Sequence, residues 1–261
     1  MPPRKIDVDA VTHSGFGLAE QITIGGGAWH AHEKHQVLYA SEGTLTLDIA
    51  TKRWLLPPQR AAWIEAGTRH AVSSTTGASL RTVYLARSLA RGTGVDCRVF
   101  GVTPLAREML LCAMRWGPSG EKSRTRSAFF EALAGLALEW IAAERPYHLP
   151  VAQTPELARA MRYIDAHLED ATVEAAAKAA HLSVRSLARR FDAEVQMSFR
   201  DYLQAARMMR AMEILARPNS TVTQAAFEVG FRSLGAFTTA FRERCGETPT
   251  EFRARCSKGP S

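Results

Sequence analysis

Two stretches of this chain, fifty residues apart, follow one plan, and that repetition limits the fold more than any other feature. Ser183 is followed by Leu187 and Phe191, and Ser233 by Phe237 and Phe241. In each, a hydroxyl residue stands where it can cap a helix N-terminus. Two apolar side chains then recur at i, i+4 on one side of the helix it would start. A run of small apolar residues precedes each: Ala176, Ala177 and Ala180 after Thr172, then Val222, Ala225, Ala226 and Val229. That spacing gives each run one buried helical face. Gly230 can take the left-handed conformation that closes a helix, and Gly246 with Pro249 stops the last one. Helix, tight turn and helix, twice over, fits DNA-reading helix-turn-helix motifs and also plain hairpins in a helical bundle.

Between the two copies, Phe199 to Ala216 predicts a single helix of eighteen residues, about 27 Å long. This is near the repeat of about 34 Å between successive major-groove faces, so one rod can hold both readers on one side of a duplex. A further helix over Glu156 to Leu168 places Leu157, Met161 and Ile164 inward. The formal net charge of +7 favours an acidic partner, nucleic acid or a membrane surface. Cys97, Cys112, Cys245 and Cys256 form no short pair, which argues against a disulfide framework or a zinc finger and for a reducing cytoplasm. The first ten residues carry no secretory signal, and the apolar segment from Phe129 is broken by Glu131 and Glu139. A soluble, cytoplasmic protein without a membrane partner is expected.

The first hundred residues read differently. Leu45, Leu47 and Ile49 alternate with polar neighbours, the period of a half-buried strand. Trp54–Leu56, Ala62–Ile64 and Leu80–Leu85 read as further strands, so a small antiparallel barrel is expected over 1–100. His30 and His32, two apart, would share one face of a strand with Gln36, while His35 has the opposite parity and is expected outside. Gly25, His30-Ala-His32, Gln36 and Gly43 resemble the first cupin motif, and Ala66-Gly-Thr-Arg-His70 resembles the second. The resemblance implies that His30, His32 and His70 stand where metal-binding cupins hold a divalent metal. Gln36 replaces the glutamate of that set. Two readings stay open: a zinc, nickel or iron ion on the three imidazoles, or a metal-free organic-ligand pocket formed by His30, His32, Gln36 and His70. Trp29, Tyr39, Trp54, Trp63 and Tyr84 are candidates to line such a pocket.

From Pro104 the period becomes helical. Leu105, Met109 and Cys112 mark one stripe, and Phe129, Leu133, Leu136 and Trp140 a second, separated by Gly117–Gly120. These helices, within 101–154, would form a lid or a dimer surface. Three prolines between Arg145 and Pro155 suggest a linker.

Residues 155–257 closely resemble the DNA-binding domain of AraC/XylS-type transcription regulators. Val229-Gly-Phe231, Ser233, Phe237, Phe241, Gly246, Thr248-Pro249 and Phe252-Arg253 carry that signature in order. Gln196 departs from it, standing where the family usually leaves the first reading helix through a glycine. The overall class is therefore α+β: a cupin-like sensor barrel followed by an all-α domain with two helix-turn-helix motifs. On the first reading helix, Arg185, Ser186, Ala188, Arg189 and Arg190 lie opposite the buried face. Arg185 and Arg189 align with family base-contact positions, and arginine can donate two parallel bonds to guanine O6 and N7. On the second, Arg232, Leu234, Gly235, Thr238, Thr239 and Arg242 are exposed and offer fewer discriminating hydrogen bonds. The expected function is a DNA-binding regulator, not an enzyme. The resemblance leans towards an activator that binds double-stranded DNA as a homodimer, works with RNA polymerase, and answers to a small-molecule or metal effector. A metal-dependent cupin enzyme with a nucleic-acid-binding tail, and a regulator whose barrel only dimerises, are the alternatives.

Overall fold

A computed structural model describes residues 6–50, 52–57, 60–75, 77–142, 149–217 and 219–257. Strands β1 (Gly15–Ile22), β2 (Gly25–Gly26), β3 (His35–Gly43), β4 (Leu45–Ile49), β5 (Lys52–Leu56), β6 (Arg60–Ile64), β7 (His70–Ser74), β8 (Ala78–Leu85) and β9 (Cys97–Gly101) come first. Helices α1 (Pro104–Ala113) and α2 (Arg124–Ala142) follow, then the short β10 (Leu149–Pro150). The remainder is helical: α3 (Pro155–Ala166), α4 (Val173–Ala179), α5 (Val184–Val195), α6 (Phe199–Leu215), α7 (Val222–Glu228), α8 (Leu234–Cys245) and α9 (Pro249–Ser257). No helix among the described residues is long and apolar enough to cross a membrane. Residues 143–148, which include much of the expected linker, lie outside the described set.

The chain divides into two compact units, residues 1–49 with 56–146, and residues 50–55 with 147–261. In the first, β1-β8-β3-β6-β9 form one antiparallel sheet, while β4 and β2 flank β7 in another. Odd-numbered residues of β3, such as Val37 and Tyr39, share a core with Trp63, Phe100, Phe130 and Leu133, so α1 and α2 cover the outer face of the larger sheet. That cover corrects the expectation for His35. Its parity does put it outside the sheets, yet it is 1% exposed and stacks on Trp63 with ring centroids 4.9 Å apart. Outside the sheets is not outside the protein.

The helical stripes shift by one position for the same reason. α1 buries Ala106, Leu110 and Ala113 and leaves Leu105 exposed; α2 buries Phe130, Leu133, Ala134, Ala137 and Ile141. Close packing on a sheet selects the small residues, and the larger Met109, Phe129 and Trp140 fill its flanks. Arg126, in a stretch that reads as polar, is buried in α2. Its Nη2 donates to the Gly15 and Gly117 carbonyls, both at 2.9 Å, which offsets the cost of burying the guanidinium.

In the second unit the expected helices form nearly to the residue. Leu157, Met161 and Ile164 from α3, Ala176 and Ala177 from α4, and Leu187 and Phe191 from α5 enter one core with Ala225, Ala226, Val229, Phe237 and Phe241. α6 runs through it as a rod of 17 residues, about 25 Å. α9 goes beyond the sequence reading, which took Pro249 only as a stop. Pro249 is instead its first residue, and Thr248 and Glu251 cap each other: the Thr248 amide donates to Glu251 Oε2 at 2.8 Å, and the Glu251 amide to Thr248 Oγ1 at 3.2 Å. Phe252 then closes the core against Phe241 at 5.7 Å.

Both turns end their first helix the same way. The Leu182 amide reaches back to the Ala177 carbonyl at 2.9 Å, and the Phe231 amide to the Ala226 carbonyl at 3.0 Å. Each has one residue with positive φ, His181 at 56° and Gly230 at 82°. Gln196 also takes the left-handed conformation at the end of α5, φ 52° and ψ 37°, where α8 ends on Gly246. A side chain there costs about 1–2 kcal/mol, partly offset by the greater freedom that glycine loses on folding. Gln196→Gly is therefore expected to raise unfolding free energy by about 0.5–1 kcal/mol in urea titration. A neutral or destabilising result would mean that the glutamine side chain supplies a compensating contact.

Candidate nucleic-acid interface and histidine site

The two reading helices begin at matching caps. Ser183 Oγ accepts from the Ser186 amide at 3.1 Å, and Ser233 Oγ from the Ala236 amide at 3.2 Å. With Leu187, Phe191, Phe237 and Phe241 at 0% exposure, the opposite faces are fixed towards solvent. On α5, Arg185, Ala188 and Arg189 are exposed; Ser186 is half-buried and belongs to the cap, its Oγ accepting from the Ser183 hydroxyl at 2.9 Å. Arg190 is different. Its guanidinium lies 3.3 Å from Glu194 and 3.7 Å from Glu156, within the domain. Leu234, Gly235, Thr238, Thr239 and Arg242 of α8 line one open concavity, and Arg232 is exposed in the turn before it.

Sequence reasoning missed Arg207 on α6. Its Nε donates to the Leu168 carbonyl at 2.7 Å and its Nη2 to the Glu169 carbonyl at 3.1 Å, and it lies 5.9 Å from the Phe231 ring centroid. It ties the end of α3 to the second turn. No motif marks it, because its partners are backbone atoms some forty residues away.

The histidines converge as expected, but not from a strand. His30 and His32 lie in the irregular segment before β3, and only the backbone of His30 pairs, with His70 at the start of β7. One ring nitrogen from each of His30, His32 and His70 lies within 4.8 Å of the others. Each Nδ1 faces a backbone carbonyl: Ala28 at 2.9 Å, Lys34 at 2.7 Å and Thr68 at 2.9 Å. A carbonyl only accepts, so these contacts place the proton on Nδ1 and leave Nε2 for a ligand. His70 Nε2 is buried and has no hydrogen-bond partner among the described residues. Burial, with His30 and His32 adding to it, lowers the His70 pKa to about 4, so this ring is neutral at pH 7.

Gln36 joins the set through its amide, 3.0 Å from His32 Nε2, and also reaches the hydroxyls of Thr82 at 2.8 Å and Tyr84 at 3.3 Å. Burial lowers the His32 pKa, which opposes a doubly protonated ring. The consistent arrangement has the amide NH2 donating to His32 Nε2 and its carbonyl accepting from the two hydroxyls. Of the expected aromatics, only Tyr84 meets this site, its ring 5.1 Å from His32. Tyr39 and Trp63 lie in the core under α1 and α2, Trp54 is buried in β5, and Trp29 is exposed beneath Arg69 at 5.6 Å.

Comparison with known proteins agrees with both halves of this geometry. Residues 176–255 match a helix-turn-helix domain family, and residues 25–185 match the AraC-like ligand binding domain. The chain is 28% identical over 233 residues to the HTH-type transcriptional regulator NimR of Escherichia coli strain K12, covering 87% of this chain and 82% of NimR. It is 35% identical over 75 residues to the HTH-type transcriptional activator RhaR of Pectobacterium atrosepticum, covering 29% of this chain and 26% of RhaR. Among solved structures, ToxT from Vibrio cholerae O395 aligns with 94% of this chain and 99% of its own at 10% identity, with a TM-score of 0.41, too low to carry an argument. These matches are regulators of transcription and not enzymes. With its AraC-like ligand-binding domain and a helical unit that carries two helix-turn-helix motifs, the chain belongs to the AraC family of DNA-binding transcription regulators.

Proposed function

We propose that this regulator takes its signal at the histidine site, and that a divalent transition metal on His30, His32 and His70 sets its affinity for operator DNA. The observation that carries this reading is the buried, unpartnered Nε2 of His70. A buried ring nitrogen without a partner costs stability, and a ligand that fills it recovers that cost. The three imidazoles are oriented through Nδ1 as metal-bound histidines usually are. Bonds of 2.0–2.1 Å in tetrahedral geometry separate ligand atoms by about 3.4 Å, and His30, the most exposed of the three, has room to close the remaining distance. A bound cation would supply a fixed positive centre with an open position for a small anionic ligand, since Gln36 adds no negative charge.

The full-length chain, stripped of metal and then dialysed against zinc, nickel or ferrous iron, is expected to retain one ion and to change its DNA affinity at least about tenfold, 1.4 kcal/mol. His70→Ala is expected to lower metal affinity by more than about 100-fold, beyond the loss seen on removing outer-shell partners. Retention of the ion by that variant, or DNA binding indifferent to metal, sends the effector elsewhere. One observation favours an organic effector instead: the Gln36 amide already engages His32 Nε2. Under that reading no metal is retained, and Gln36→Ala rather than His70→Ala removes the response. Activation is the proposed direction, supported by the likeness of the helical unit to RhaR, which is named an activator. Deleting the gene should then lower transcription from the bound promoter.

A further inference from the structure

The two reading helices match position for position, and they differ in what fastens their last turns. On α5 the fastening residue is Glu194, whose side chain is 11% exposed. Its carboxylate accepts from the Gln153 amide at 3.0 Å, the Thr154 amide at 2.9 Å and the Thr154 hydroxyl at 2.7 Å. It also holds Arg190, one turn earlier on the same helix, at 3.3 Å. Burial opposes the charge, yet these donors keep the carboxyl below the ordinary glutamate range. Fifty residues on, the places of Arg190 and Glu194 are taken by Ala240 and Arg244. Arg244 lies 3.7 Å from Asp201 in the first turn of α6, so α8 is fastened to the rod at the centre of its own unit.

Gln153 and Thr154 come directly after the segment that opens this unit. Leu149 and Pro150 of β10 pair with Arg53 and Lys52 of β5. Leu149 and Leu55 enter the same core as Leu157 and Phe191. Residues 50–55 are grouped with the helical unit, although Ile49 before them and Leu56 after them belong to the sheet unit. The chain therefore reaches α5 by two covalent routes that meet at β5 and β10, and Glu194 is the hydrogen-bonded end of one of them.

We propose that Glu194 is a positioning residue for DNA recognition, holding α5 in register with the chain segment that enters the helical unit, whereas α8 has no such tie. Arg190 is then part of the tie and not a phosphate contact. A shift of residues 149–154 moves the first reader against the second and changes discrimination at one half of the operator. This inference does not depend on what the sheet unit binds.

The test uses the full chain and a duplex selected from a random library by that chain. Arg189→Ala and Thr239→Ala assign its two halves to α5 and α8. Glu194→Gln keeps the side chain's shape and removes its charge. It is expected to reduce discrimination between the α5 half and its scrambled form by about five- to tenfold, the loss of a charge-assisted hydrogen bond. Discrimination at the α8 half should stay within twofold. Thr154→Ser, which keeps the hydroxyl, should behave as the unaltered chain at both halves. Equal changes at both halves, or none at either, overturn the proposal, because a residue that only stabilises the fold does not choose between half-sites. Should Glu194→Gln fail to fold, Thr154→Ala against Thr154→Ser carries the same comparison.

Discussion

Gly230→Ala is expected to lower the stability of the helical unit by roughly 2–5 kcal/mol, the largest effect of any single methyl group in the chain. Two costs combine. Gly230 has φ 82°, where a side chain costs about 1–2 kcal/mol. The added Cβ would also stand 2.6 Å from the Glu169 carbonyl oxygen and 2.8 Å from its Cα. Those are backbone atoms held by Arg207, so they yield poorly, and overpacking of this kind costs about 1–3 kcal/mol more. Gly246→Ala separates the two costs, because φ there is 79° and nothing lies within 4 Å of its Cβ position. It should lose only the first cost, about 1–2 kcal/mol. Urea unfolding of both variants measures the difference, and equal losses would show that the approach to Glu169 does not matter.

The second large effect concerns DNA. Arg189→Ala is expected to relax discrimination at its half-site by about 1–3 kcal/mol, or 5- to 150-fold, the worth of a bidentate contact to guanine. Thr239→Ala should cost under about 1 kcal/mol, since a threonine offers a methyl group and one hydroxyl. Arg190→Ala should behave differently from both: its partners are Glu194 and Glu156, so its loss should appear in stability and not as a reduced salt dependence of DNA binding. Binding to duplexes mutated one base pair at a time measures all three. An Arg189→Ala profile that falls equally at every base pair would make that arginine a phosphate contact.

Features carried by local chemistry were legible in the sequence. The Ser183 and Ser233 caps, the Phe237 and Phe241 pair, the left-handed Gly230 and the anomaly at Gln196 each follow from a few neighbouring residues, and each stands in the structure. The convergence of His30, His32 and His70 was legible only through resemblance, since forty residues separate the first from the last. Features set by layers were not legible. Parity along β3 separated His35 from Gln36, but nothing local says that a second layer covers the outer face. The same layer moved the buried stripe of α1 onto Ala106, Leu110 and Ala113. The capping box of α9 was readable in Thr248 and Glu251, where the stop signal of Pro249 hid it.

The placement of β5 bears on how far this protein can be treated as two exchangeable parts. A chimera that joins residues 1–146 to another family member's helical unit separates β5 from β10 and takes Leu55 out of the core it shares with Leu149 and Leu157. The orphaned strand then presents unpaired backbone groups and an apolar side chain, an invitation to aggregation. A helical unit expressed alone from residue 147 lacks residues 50–55 and leaves the other side of the same seam uncovered. Grafts in this family should therefore move the β5 segment together with the helices. In the history of the fold, the same seam would have made the two halves change partners less freely than their separate sequence signatures suggest.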